Sequence, residues 1–340
     1  MLTLKTYDFE LPLRHVFSIS RESRSDQPTL IVELSDGVNR GYGEATTNSY
    51  YGATLELMRE ALESVRPLVE SAEPLDPVQL WDQTWPILKN NPFAQCALDQ
   101  ATTDLWGKQQ GAPVYKLWGL STDRIPQSNF TIGIDTIEVM VKKLLETPGW
   151  PIYKIKLGTK HDLDIVRELR KHTDAVFRVD PNCGWTADET IANSHELAKL
   201  NVQFIEQPMP ADQWDEMKRV YKESALPLVA DESCISEPDV ERCVGHFHGV
   251  NVKLTKCGGL TPGRRMVTRA RELGMTAMVG CMTESTIGIS AIGQLLPLLD
   301  YVDMDGAALL SKDIATGVVV DHGTCKYPAA NGTGAALIGA

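Results

Sequence analysis

Pro151-Ile152-Tyr153-Lys154-Ile155-Lys156-Leu157-Gly158 sets two lysines at i and i+2 in a run that otherwise has the composition of a buried β-strand. Side chains alternate faces along a strand, so Lys154 and Lys156 share one face while Tyr153, Ile155 and Leu157 pack on the other. Two ammonium groups on one apolar strand repel and lose hydration, which favours a neutral amine and so a lysine base. A strand end with two solvated lysines is the alternative. The sequence downstream weighs against it.

From about residue 121, short apolar segments alternate with helical ones, and most end in a charged side chain. The segments are 130–134, 152–157, 175–179, 202–205, 228–230, 250–252, 277–280 and 301–302. The second carries the lysines, and the next four end at Asp180, Glu206, Asp231 and Lys253. The last two lead to Glu284 and to Asp303 and Asp305. Successive intervals from Lys156 to Asp180, Glu206, Asp231 and Lys253 are 24, 26, 25 and 22 residues, about one strand, one loop and one helix each. The spacing predicts an α/β fold, a modified TIM-type (β/α)7β barrel over 121–315.

Ahead of the barrel the texture differs. Residues 1 to about 50 read as antiparallel strands, with 11–20 and 29–34 as the two defined runs, Ser35-Asp36-Gly37 as a turn, and the polar run 21–27 as a loop. Gly41-Tyr42-Gly43-Glu44 reads as a hairpin end rather than a phosphate loop. From 53 to 118 the apolar period is helical, punctuated by prolines, so 1–120 is expected to form an α+β domain. The last twenty or so residues, about 316–340, are expected to complete that domain and close the lid over the barrel mouth.

Composition excludes several classes. The chain has 340 residues, 43% hydrophobic and 23% charged, enough for one large core or two domains. A net charge of −12 offers no basic face for nucleic acid. Seven cysteines without a C-x-x-C pair point to a reducing, cytoplasmic setting. The N-terminus has no apolar signal run, and no stretch reaches the ~18 apolar residues of a membrane span. A homo-oligomer is left open.

In parallel barrels the chemistry sits at the C-terminal strand ends, where the loops surround a common mouth. Asp180, Glu206 and Asp231 come from neighbouring strands, and three converging carboxylates need a cation. Oxygen-only ligation favours Mg²⁺ over Ca²⁺ or Zn²⁺. His246 and His248 precede a strand and belong to the opposite rim. Lys154 and Lys156 come from the strand before the trio and Lys253 from the strand after it, so a carboxylate substrate on the metal would have its α-carbon between amines. One amine can remove the α-proton and the other return it, which inverts the centre.

Lys154-x-Lys156, Asp180-x-Asn182, Phe204-Ile205-Glu206-Gln207-Pro208, Asp231-Glu232-Ser233 and Asn251-Val252-Lys253-Leu254-x-Lys256-x-Gly258-Gly259 resemble the motif set of the enolase superfamily, muconate-lactonising-enzyme subgroup. Ala97-Leu98-Asp99 through Asp104-Leu105-Trp106-Gly107 resembles the helix of its capping domain, so the likeness covers nearly the whole chain. Sites of that superfamily pair a lysine or histidine base with Mg²⁺. The resemblance implies Lys156 and Lys253 as acid/base pair with Lys154 assisting, and Asp180, Glu206 and Asp231 as metal ligands. Gly280-Cys281-Met282-Thr283-Glu284 lacks the histidine of other branches. Muconate cycloisomerisation, o-succinylbenzoate synthesis and dipeptide epimerisation remain.

Asp303-Met304-Asp305 resembles the Asp-x-Asp of dipeptide epimerases, two carboxylates on one strand face that cradle a substrate ammonium. Residues 19–24 resemble the segment of L-Ala-D/L-Glu epimerases, which implies that Arg24 grips the second residue's carboxylate and places the enzyme in peptidoglycan peptide metabolism. A solvated Arg24 would imply broader use of small dipeptides such as Ala-Ala. Thr131 and Cys281 are implied substrate contacts.

Overall fold

The computed structural model describes residues 1–20 and 22–339. Arg21, assigned above to the polar loop, lies outside the described residues. Strands β1 (Thr3–Ser18), β2 (Ser23–Ser35) and β3 (Arg40–Thr46) form an antiparallel sheet in that order. Two boundaries are corrected here. β1 starts at Thr3, ahead of the run that begins at residue 11, and β2 starts at Ser23, inside the stretch expected to be a loop. After an irregularity between Pro12 and Phe17 the ladder resumes as Phe17 opposite Arg24 and Ser18 opposite Ser23. Backbone pairing with β1, not side-chain hydrophobicity, holds that polar segment extended.

Helices α1 (Leu55–Glu70), α2 (Pro77–Leu88), α3 (Pro92–Gln109) and α4 (Val114–Leu117) follow. The first three begin at Thr54, Asp76 and Asn91, whose side chains accept from the backbone N–H of Leu57, Gln79 and Ala94. α3 is buried nearly all round and lies directly on β3. A Cβ on Gly41 or Gly43 would come within 2.2 Å of the Ala101 carbonyl or 2.0 Å of the Ala97 carbonyl. Gly41 does lie at the hairpin end, one residue into β3, but Gly43 sits mid-strand, and both are bare to admit a helix.

The barrel strands are β4 (Phe130–Ile132), β5 (Ile152–Lys156), β6 (Val176–Asp180), β7 (Val202–Glu206), β8 (Leu228–Ala230), β9 (Gly249–Val252), β10 (Thr276–Gly280) and β11 (Tyr301–Asp303). Between them run α5 (Ile137–Glu146), α6 (Asp162–Arg170), α7 (Ala187–Ala198), α8 (Trp214–Glu223), α9 (Asp239–Cys243), α10 (Leu254–Cys257) with α11 (Leu260–Glu272), and α12 (Thr286–Gly293). The eight strands pair in parallel, in sequence order, through seven ladders. Every residue of β5 is buried, as expected for a strand with helices on one face and the barrel interior on the other.

Between β11 and β4 no backbone hydrogen bond joins the strands among the described residues; side chains close the barrel there. Ser128 Oγ accepts from the Met304 N–H, Asn129 donates to Asp303, and the Thr131 N–H donates to Asp305. Arg178, fully buried on β6, donates to Asn129 and to the Val302 carbonyl between the rings of Phe204 and Tyr301. Asp303 and Asp305 thus stand at the seam.

The chain then returns through β12 (Ala315–Thr316), β13 (Val319–Asp321), β14 (Thr324–Lys326) and β15 (Ala336–Leu337). Its β13–β14 turn meets the entrance to β4, where the Ser128 N–H donates to Gly323, and Gly332 pairs with Val114 and Ala112. This overturns the expected lid. No described residue beyond Leu309 lines the cavity at the mouth, which is covered instead by the β1–β2 tip and the loop after β3.

Candidate active site

The strand ends deliver their side chains to one place. Asp180 closes β6, Glu206 closes β7 and Asp231 follows β8, so three adjacent strands present a row of carboxylates, all buried. A lysine flanks each end. Lys156, on β5, puts Nζ 2.6 Å from Asp180, and Lys253, just after β9, puts Nζ 2.9 Å from Asp231. Lys154 points inward with Nζ 2.8 Å from Asp303, 2.8 Å from Glu206 and 3.1 Å from Asp180.

The lysine pair is expected to leave one neutral amine, Lys156 as the base, with Lys154 assisting electrostatically, and these contacts bear on Lys154. Burial alone would lower that amine, but the surrounding carboxylates, Asp303 foremost, outweigh it and raise Lys154 above its ordinary range. Burial would likewise raise Asp180 and Asp231. Lys156 and Lys154 instead pull Asp180 down, and Lys253 and Lys256 pull Asp231 well down. Glu206 has less help: burial, with Asp180 and Asp231 beside it, pushes it up to about 7 against the pull of Lys154. One ammonium nitrogen touching both Asp180 and Glu206 stands where a cation shared by the row would be bound, and every donor in the row is a carboxylate oxygen.

Asp303 and Asp305 do not share a strand face as expected. β11 ends at Asp303, and Asp305 lies one turn on, where the chain has left the strand. Burial and next the Asp303 charge raise Asp305 far above the carboxylate range, while Lys154 and Asn129 hold Asp303 low. Cys281 Sγ lies 4.0 Å from Asp305. These groups, with Thr131, both outer lysines, Asp231 and Arg24, line one cavity of about 260 Å³, near the lower end of small-molecule sites. Arg24 is not free within it: its guanidinium donates to Glu22 and Gln27. His248 accepts from the Leu228 N–H, away from the cavity.

Four supporting residues were given no role in the sequence reading, although Asn251 and Lys256 stand in a motif quoted there. Asn251 donates to Glu206 at 2.9 Å, Lys256 to Asp231 at 2.6 Å, and Asn129 to Asp303 at 2.7 Å, itself held by Arg178. Asn251 and Arg178 stand two residues before Lys253 and Asp180, on the same strand faces, and that alternation was the available signal.

Two family models match. The mandelate racemase / muconate lactonizing enzyme N-terminal domain covers residues 1–119, and the enolase C-terminal domain-like model covers 137–338. The chain belongs to the mandelate racemase / muconate lactonizing enzyme family. Among relatives in it, the L-Ala-D/L-amino acid epimerase of Flavobacterium johnsoniae is 57% identical over 97% of this chain and 98% of its own. The L-Ala-D/L-Glu epimerase of Bacteroides thetaiotaomicron is 40% identical over 93% of this chain and 83% of its own. The dipeptide epimerase of Methylococcus capsulatus, solved with Mg and L-Arg-D-Lys, superposes with a TM-score of 0.90 at 30% identity, covering 98% of this chain and 99% of that one.

A buried acid joins the first sheet to the barrel. Glu44 of β3 accepts from the N–H groups of Ser285 and Gly288 and from the Ser285 hydroxyl, tying the capping sheet to the start of α12. Burial, and next the Glu44 charge, push neighbouring Glu284 up to about 8. A value raised on folding stabilises the fold fully below the ordinary glutamate range near ~4.3, and that contribution fades as pH rises towards the folded value, by about 1.4 kcal/mol per unit. The thermal midpoint is expected to fall between pH 5 and 8, and Glu284→Gln to flatten that slope. Parallel slopes for the two proteins in calorimetry would refute a protonated Glu284.

Proposed function

We propose that the protein is a Mg²⁺-dependent epimerase of dipeptides, with L-Ala-D/L-Glu among its substrates, acting by 1,1-proton transfer between two lysines. The observation that carries this reading is the row Asp180, Glu206 and Asp231 with an amine against each outer member. Asp180, Glu206 and Asp231 would hold the ion, and the fit rests on their oxygen-only donors and on a Glu206 left short of positive charge. Magnesium, when bound, supplies positive charge against the substrate carboxylate and so acidifies the neighbouring Cα–H.

The remaining work falls to the chain itself. Lys156 and Lys253 address the α-carbon from opposite sides, because β5 and β9 flank the three strands that carry the row. One amine takes the proton from Cα and the other, as ammonium, delivers a proton to the opposite face. Lys154 stays charged and neutralises part of the row, with Asn251 and Lys256 fixing Glu206 and Asp231. Asp303 receives the substrate ammonium, and Asp305, Thr131 and Cys281 shape the wall around it. Seven free cysteines and a small peptide substrate suit a cytoplasmic enzyme of peptidoglycan peptide metabolism. Incubating the Mg²⁺-loaded protein with L-Ala-L-Glu in D₂O should exchange the α-proton of the C-terminal residue by NMR. No exchange with any dipeptide of a varied panel would end the proposal.

A further inference from the structure

At the outer end of the cavity the β1–β2 tip carries an arrangement that the proposed reaction does not itself require. Arg24, the only cation of that wall among the described residues, has both terminal nitrogens engaged: Nη1 donates to Gln27 Oε1 and Nη2 to Glu22 Oε1. Neither partner is loose. Glu22 takes the Ser49 hydroxyl on its other oxygen at 3.0 Å, which pins it between the tip and the loop after β3. Gln27 is fully buried and spends its amide N–H groups on the Thr47 and Pro28 carbonyls, both at 3.0 Å.

The geometry points to Glu22 as the residue that sets specificity for the second amino acid of the dipeptide, by occupying Arg24 and so denying it to a substrate carboxylate. The inference rests on the dipeptide reading of the site. An acidic side chain entering this end must displace a carboxylate already on the guanidinium, and it meets the negative charge of Glu22 while doing so. A neutral side chain faces no such competition, and Phe17, Ile19, Met282 and Leu309 offer it apolar wall. The chemical class favoured is therefore L-Ala followed by an uncharged residue, with glutamate accepted at a disadvantage. Specificity here comes from an internal competitor rather than from a missing arginine.

The test compares L-Ala-L-Glu with its near-isostere L-Ala-L-Gln in the Mg²⁺-loaded protein. Glu22→Gln keeps the size and an acceptor for Arg24 while removing the charge. The ratio of kcat/KM for the Glu dipeptide over the Gln dipeptide is expected to rise about tenfold, carried by a lower KM for the acidic substrate. In the double variant Glu22→Gln/Arg24→Met the rise should vanish. A ratio within twofold of the parent's, or a rise that survives loss of Arg24, overturns the role of Glu22 and leaves the epimerase reading intact. Failure of the parent protein to turn over either dipeptide, or any other of the panel, overturns both.

Discussion

Lys156→Ala and Lys253→Ala are each expected to stop net epimerisation, lowering kcat by about 10³-fold or more, yet to leave opposite halves of the reaction alive. The two amines reach the row from different flanks, Lys156 at Asp180 and Lys253 at Asp231, so in the proposed reaction each would address one face of a carbon held between them. With one amine gone, the other can still remove the proton that points at it. It can return solvent deuterium only to the face it took the proton from. Each variant should therefore exchange the α-proton of one epimer in D₂O without inversion and leave the other epimer untouched, and the favoured epimer should switch between variants. Supplying pure L,L and L,D dipeptides separately and following the α-proton by NMR reads this directly. Exchange of the same epimer in both variants would show that the lysines share one face and that a single base does the work. Far-ultraviolet circular dichroism with Mg²⁺ present checks that the alanine variants remain folded.

Much of this was legible in the chain because barrel strands impose a hard rule on polar residues. A strand buried on both faces admits a charge most readily at its end, so the rhythm of Lys156, Asp180, Glu206, Asp231 and Lys253 marked both the strand spacing and the mouth. Where the reading erred, contacts between distant segments decided. Residues 23–27 are polar enough for a loop but lie against β1 as strand, and Gly41 and Gly43 look like turn residues until α3 is laid across them. The partners of Lys154 could not be read locally either: three carboxylates from other strands, one 149 residues away, surround its amine. Alternation puts Arg178 on the face of Asp180, but its reason to be buried, a barrel seam without backbone pairing, exists only once β4 meets β11.

That seam gives the second large effect its logic. Asp303 Oδ1 accepts from Asn129 at 2.7 Å and Oδ2 from Lys154 at 2.8 Å, so its carboxylate is fixed from both sides before any substrate arrives. Burial and the Asp303 charge raise Asp305 beside it well above the carboxylate range, whereas Lys154 and Asn129 hold Asp303 low, so Asp303 is the member of the pair better placed to present negative charge to an entering ammonium. Asp303→Asn keeps the shape and the acceptor for Asn129 but removes that charge. The expected result is a loss of about 10²-fold in kcat/KM for dipeptides with a free amino terminus, the order of one charge-assisted hydrogen bond in a dry site, carried mainly by KM. N-acetylated dipeptides, which bring no ammonium, should be poor substrates of the parent and lose far less in the variant. Equal losses for the free and blocked series would mean that Asp303 acts only by holding Lys154. Full activity in the variant would remove the ammonium cradle.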